Sequence, residues 1–204
     1  MNLAKSISCQ FGNPSGMMGK LAGFTMAHRR SNLERIDWAI DLLRLKSGDK
    51  VLEVGFGPGI ALQKMSQAVE GISLFGLDHS ELMYQQASSR NREAMAAGSV
   101  TLIRGSVTAL PSFEVQFDKV LDINTFQFWD SKVDTLVQLK KHIATNGSIL
   151  LVHQPRKPGA NDYDAHEAAA KMSRLLEAAG FSEVTTAIHQ MKPVATVAVR
   201  GRNG

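Results

Sequence analysis

The chain has 204 residues, 44% of them hydrophobic and 21% charged, with a formal net charge of +4 at pH 7. A chain of this length buries roughly 70% of its unfolded surface, so one ordinary domain, with or without an added lid, needs no covalent staples. The single cysteine, Cys9, rules out an internal disulfide framework and a cysteine-based metal site. No apolar run approaches the roughly 20 residues that span a bilayer. No apolar leader with a cleavage site opens the chain, so a cytoplasmic address is expected. The basic residues are spread along the sequence, with small excesses at Arg29-Arg30 and Arg200-Gly201-Arg202. A nucleic-acid face would show a dense basic stripe interleaved with aromatics, so no nucleic-acid partner is expected.

Residues 1–30 differ in texture from the rest. Phe11-Gly12-Asn13-Pro14-Ser15-Gly16-Met17-Met18-Gly19 is rich in glycine and turn formers, and such segments are mobile and adaptable. This one is either a lid over a substrate or an extension packed on the side of a domain formed by residues 31–204. Asn32 is placed to cap a helix through Leu33, Ile36, Trp38, Ile40, Leu42 and Leu43, whose spacing makes a broad apolar face. Val51–Val54 is a short apolar run that reads as a buried parallel strand. Gly55, Gly57 and Gly59 then stop it, and Pro58 suits the first turn of the helix that follows. Strand, glycine turn and helix together place free backbone N–H groups at the end of a sheet, the ligand crevice of an open α/β fold.

Downstream, strand and helix continue to alternate. A helix is expected over 60–69, a strand over 73–78, a helix from Glu81 to about Ala97, and strands over 100–104 and 117–123. A helix opening at Asp130-Ser131 runs to about Thr145, where the Asn146-Gly147 turn leads into a strand over 148–153. A loop over 155–161 and a helix over 162–179 follow. Two strands, about 183–190 and 194–200, end the chain. The pattern is that of an α/β protein with a mostly parallel sheet and an antiparallel last strand.

The spacing of the glycines bears on the ligand. A dinucleotide fingerprint needs G-x-G-x-x-G, but the third position is Ile60 counted from Gly55 and Leu62 counted from Gly57. The glycines form E-x-G-x-G-x-G from Glu53 to Gly59 instead. A carboxylate beside the loop repels a pyrophosphate and favours an ammonium group. Asp78 ends the second strand about 20 residues after the glycine turn, where an acid can hold ribose hydroxyls. That pairing serves any adenosine-bearing cofactor, and Asp78 with Ser80 also suits a simple helix cap.

The stretch Glu53–Gly59 resembles motif I of the class I S-adenosylmethionine-dependent methyltransferases. Gly105-Ser106-Val107-Thr108-Ala109-Leu110-Pro111 is similar to the loop with which that family reads adenine. Ser106 stands where an aspartate is common there, and its hydroxyl is a weaker acceptor for the adenine amino group. The Val107 N–H can meet a ring nitrogen. Phe117-Asp118-Lys119-Val120, followed by Asn124-Thr125-Phe126-Gln127-Phe128-Trp129, resembles the fourth motif of small-molecule members. The D/N-P-P-Y/F signature of enzymes that methylate amino groups of nucleic-acid bases is missing, because Thr125 and Phe126 occupy the proline positions. Ala178–Val184 resembles the family's entry into its last hairpin.

The resemblance implies a Rossmann-like three-layer sandwich with a seven-stranded sheet ordered 3-2-1-4-5-7-6. It implies S-adenosylmethionine as cofactor and S-adenosylhomocysteine as product. The matching positions for the cofactor are Glu53, Gly55, Phe56, Gly57, Gly59, Asp78, His79, Ser80, Met83, Gly105, Ser106, Val107, Asn124, Thr125 and Phe126. Phe126, Phe128 and Trp129 can line a substrate pocket, contact the sulfonium or simply pack in the core. The expected reaction is in-line methyl transfer to a small-molecule acceptor, by a monomer or homodimer. An oxygen or protonated-amine acceptor needs a base. His153, ending the fifth strand on the same sheet edge as Asn124, is the first candidate; His28 and Tyr163 are the others. The six histidines lack metal-ligand spacing, so no metal is expected. Two further readings of the glycine loop are an NAD-linked oxidoreductase and an S-adenosylmethionine-binding protein without transferase activity.

Overall fold

A computed structural model describes residues 30–204, so the lid or extension and His28 lie outside the described residues. Helix α1 (Arg30–Leu43) precedes β1 (Lys50–Val54), α2 (Ile60–Ala68), β2 (Ser73–Asp78), α3 (Glu81–Arg90), α4 (Arg92–Ala96) and β3 (Val100–Arg104). The chain continues through β4 (Phe117–Ile123), α5 (Lys132–Lys140), β5 (Ile143–His153), α6 (Asp162–Ala178), β6 (Ser182–His189) and β7 (Thr196–Arg202). The strands form one sheet in the order β3-β2-β1-β4-β5-β7-β6, as the family resemblance implied. β1 to β5 pair parallel, and β7 runs antiparallel to both β5 and β6.

Alternation along the strands sends successive side chains to opposite faces, and each face carries its own core. Val51, Leu74, Leu121, Leu150 and Val152 pack under α1, α2 and α3, against Ile36, Ala39, Leu62, Met65 and Met83. Leu52, Leu77, Val120, Ile149 and Leu151 pack on the other face, against Leu136 and Leu139 of α5 and Ala165, Met172 and Leu176 of α6. Burial on both faces explains why these strands read as continuous apolar runs.

The structure departs from the sequence reading in three places. Helix α1 begins at Arg30, so Asn32 lies inside it and does not cap it; its Oδ1 instead accepts from the Arg35 guanidinium. The expected helix over 81–97 breaks at Asn91, which has φ −101° and ψ 17°. The buried Asn91 Nδ2 donates to the carbonyls of Gly59, at 3.0 Å, and Ala87, at 2.9 Å, competing with the helix for backbone partners. Finally, the Asn146-Gly147 pair lies within β5 and does not precede it. Asn146 takes φ +67°, and both its N–H and the Gly147 carbonyl pair with the backbone of Asn203. With the pairing of Ile143 to Phe117 on β4, this carries the strand back to Ile143.

Asn91 therefore joins α3 to the glycine loop of β1–α2. The Gly59 and Ala87 carbonyls each keep a backbone donor, from Gln63 N and Asn91 N. Asn91→Ala is therefore expected to lower the unfolding free energy by about 1 kcal/mol, the net worth of the lost side-chain bonds, measured by urea unfolding.

Candidate active site

The carboxyl ends of β1, β2 and β4 open into a cleft of about 950 Å³. Chain order reverses between β1 and β4, and this is the switch point at which open α/β sheets bind ligands. Three loops build the walls: Gly55–Pro58 after β1, Gly105–Thr108 after β3, and the turn after β4 carrying Asn124, Thr125, Gln127 and Phe128. Helix α1 closes one side with Asn32, Arg35 and Ile36, and Arg156, Lys157 and Pro158 stand at the mouth.

All three loop glycines have positive φ, +72° at Gly55, +51° at Gly57 and +75° at Gly59, but for different reasons. A Cβ at Gly55 would run into the Thr125 side chain, and one at Gly59 would lie 2.7 Å from the Ala87 Cβ. At Gly57 a Cβ would meet nothing within 4 Å. Two glycines thus serve close packing, and the third leaves bare backbone on the cleft wall. Their N–H groups are not free, contrary to the sequence reading. Gly55 N donates to Leu77 O at 2.7 Å, Gly57 N to Asp78 Oδ2 at 2.9 Å, and Gly59 N to Phe56 O at 3.0 Å. What the loop offers a ligand is therefore shape and the neighbouring carboxyl groups.

Of the carboxyl groups here, Glu53 and Asp78 line the cleft and Asp122 does not; all three are buried. Asp78 accepts from Gly57 N and, through Oδ1, from Ser80 N at 2.9 Å; burial raises its pKa and the backbone donors oppose the rise. Glu53 is fully desolvated and stands near Asp78 and Asp122, so its pKa lies well above the ordinary carboxyl range. Its Oε2 has no hydrogen-bond partner although the residue lines the cleft, an orphaned acceptor of the kind that a ligand cation satisfies. Asp122 is pushed up to about 7 by burial. It accepts from the Thr125 hydroxyl and from Phe126 N at 3.1 Å.

Of the residues singled out in the sequence, Glu53, Gly55, Phe56, Gly57, Asp78, His79, Met83, Gly105, Ser106, Val107, Asn124 and Thr125 line the cleft. Gly59, Ser80 and Phe126 do not. Ser80 caps α3, accepting from Met83 N, and Phe126 packs edge-on against Trp129 with centroids 5.0 Å apart. Ser106 Oγ lies 2.8 Å from Thr108 Oγ1 and accepts from Thr108 N at 3.2 Å, so the hydroxyl shapes its own loop. Asn124 adopts φ +60° and accepts from Gln154 N at 2.8 Å. His153 and Tyr163 are not among the cleft-lining residues. Burial, together with the Arg35 and Arg156 guanidiniums, lowers the His153 pKa to about 4, and Tyr163 is 69% exposed. Among the described residues, no group of three or more His, Cys, Asp or Glu side chains is arranged to hold a metal ion.

The sequence reading missed Arg35, Gln154 and Asp122. Arg35 carried a usable signal, a cation one turn before Ala39 on the apolar stripe of α1. Gln154 carried none, being one polar residue after a strand.

Comparison with known proteins identifies the family. A family model described as a methyltransferase domain matches residues 51–147. The uncharacterised methyltransferase YdaC of Bacillus subtilis (strain 168) is 30% identical over 177 residues, covering 87% of this chain and 94% of YdaC. A SAM-dependent methyltransferase from Aquifex aeolicus superposes with a TM-score of 0.72 at 19% identity, over 88% of this chain and 96% of its own. One from Thiobacillus denitrificans, solved in complex with S-adenosyl-L-homocysteine, gives 0.61 at 22% identity, over 82% and 73%. The chain belongs to the class I S-adenosylmethionine-dependent methyltransferases. It is an enzyme of methyl transfer, which sets aside the NAD-linked reading.

Asp122 makes the fold sensitive to pH. Between the ordinary aspartate value of 3.8 and about 7 the folded chain binds more protons than the unfolded one, so this group's contribution falls as pH rises through that window. His153 acts in the opposite sense between about 4 and 6.5. In Asp122→Asn the new amide can donate to Thr125 Oγ1, whose hydroxyl then turns to Val54 O, 3.3 Å away. The variant is expected to be more stable than the parent at pH 8, on the order of 2 kcal/mol, and to lose that advantage at pH 4. Thermal melts at the two pH values measure it.

Proposed function

We propose that the chain transfers a methyl group from S-adenosylmethionine to a small-molecule acceptor by in-line displacement. The observation that carries this reading is the pair of buried carboxyls, Glu53 and Asp78, facing one cleft on either side of the side-chain-free Gly57. Asp78 accepts from the backbone N–H groups of Gly57, Ser80 and His79 and keeps acceptor capacity for a ribose hydroxyl. The orphaned Glu53 Oε2 fits the ammonium group of the methionine end, and the Arg35 guanidinium fits its carboxylate. The adenine is assigned to Gly105, Ser106 and Val107, which line the same cleft. The cofactor supplies an electrophilic methyl group on a sulfonium.

The protein's task is then orientation. Holding the reacting groups in line is worth about 7–11 kcal/mol of barrier. His79 is the imidazole that lines the cleft among the described residues, and it sits beside Asp78 at the adenosine end. His153 is a neutral, weakly basic imidazole away from the wall. This favours acceptors that need no base, such as a thiolate, a carboxylate or a neutral amine.

Calorimetry with S-adenosylhomocysteine tests the proposal: saturable binding is expected, and no heat with millimolar ligand would reject it. Asp78→Asn is expected to weaken binding about tenfold or more, through lost charge-assisted hydrogen bonds. Glu53→Gln removes the carboxyl assigned to the ammonium group and is expected to weaken S-adenosylhomocysteine about tenfold in the same titration.

A further inference from the structure

Gln154 follows the last residue of β5, is completely buried and does not line the cleft. Its hydrogen bonds reach three separate parts of the chain. Its backbone N–H donates to Asn124 Oδ1 at 2.8 Å, at the end of β4. Its side-chain Oε1 accepts from Arg35 Nη1 at 2.8 Å, on α1. Its Nε2 donates to Val194 O at 2.6 Å, in the segment leading into β7. The amide has one consistent orientation, because a flip would turn its NH₂ toward the guanidinium and its carbonyl toward Val194 O. Two of the three partners, Asn124 and Arg35, are cleft walls.

Arg35 comes from a helix outside the sheet and carries a long side chain with much rotamer freedom to lose. A buried acceptor tied to the segment before β7 shares that guanidinium with Asn32 Oδ1 and holds it against the sheet. The acceptor is a neutral amide, so it orients the guanidinium without cancelling its charge. A glutamate there would do both. We infer that Gln154 is a positioning residue that sets affinity for the amino-acid end of the cofactor by fixing Arg35, while leaving the adenosine end untouched. The inference rests on the S-adenosylmethionine reading of the cleft.

Two ligands separate the ends. S-Adenosylhomocysteine carries the amino and carboxylate groups, whereas 5′-methylthioadenosine has the same adenosine and thioether without them. Gln154→Met is expected to weaken S-adenosylhomocysteine about tenfold and to change 5′-methylthioadenosine less than about twofold. Arg35→Met should do the same, and the double variant should be no weaker than either single one, as for two residues acting through one contact. Gln154→Asn keeps the amide but ends one methylene short of Arg35 and Val194 O. It serves if the methionine variant does not fold, and it too should lose S-adenosylhomocysteine selectively. Equal weakening of both ligands, multiplicative effects in the double variant, or unchanged S-adenosylhomocysteine affinity would each overturn the inference. A parent chain that binds 5′-methylthioadenosine normally but gains nothing from the amino-acid end overturns it while sparing the adenosine site. A parent chain that binds neither ligand removes the cofactor reading itself.

Discussion

Three carboxyl groups lie at the ends of adjacent parallel strands with almost no water around them, Glu53 on β1, Asp78 on β2 and Asp122 on β4. Charge in such a place is costly unless it is met by donors or by an opposite charge. Two of the three are met from within the protein on both oxygens, and Glu53 only in part, by the Leu62 N–H. Asp78 receives the N–H groups of Gly57 and Ser80, and Asp122 receives Thr125 and the Phe126 N–H. Each bond also shapes a loop, so the chain's answer to buried charge is what gives the cleft its outline. Glu53 keeps an acceptor that nothing in the described structure satisfies, and the electrostatic strain of the cluster is concentrated there.

The glycine loop follows from the same arrangement. Its N–H groups are used to hold the sheet edge and Asp78, so it is not a cradle of free donors of the kind that binds a diphosphate. It is a tight wall pressed against Thr125 on one side and against Ala87 and Asn91 on the other. The break between α3 and α4, which disrupts an otherwise continuous helix, places the Asn91 amide on the Gly59 carbonyl. Local helix propensity gives way there to a contact made across 32 residues of sequence.

The opposite wall is assembled by side chains from elements distant in sequence. Arg35 and Gln154 are 119 positions apart, and Gln154 and Val194 are 40 apart. Such contacts leave little trace in a single sequence, because a buried glutamine and a surface one look alike until the fold closes around them. The aromatic cluster after β4 shows the same limit. Phe126 turned into the core, Trp129 is buried yet lines the cleft, and Phe128 lines it half-exposed, a division that the 3₁₀ turn over Phe126–Phe128 decides.

Local chemistry made much of the protein legible. Apolar runs bounded by turn formers marked the strands. Glycines at alternate positions after β1, an acid ending β2 and a family-like loop after β3 located one edge of the sheet as the site. These are short-range properties, carried by backbone sterics and side-chain period, so the sequence by itself determined them. The tertiary structure alone decided which donors were already spent, where Asn91 broke a helix, how far Asn203 extended β5, and that His153 lies off the cleft wall with a depressed pKa. Those outcomes depend on desolvation and on hydrogen bonds between distant residues, and neither exists until the chain has folded.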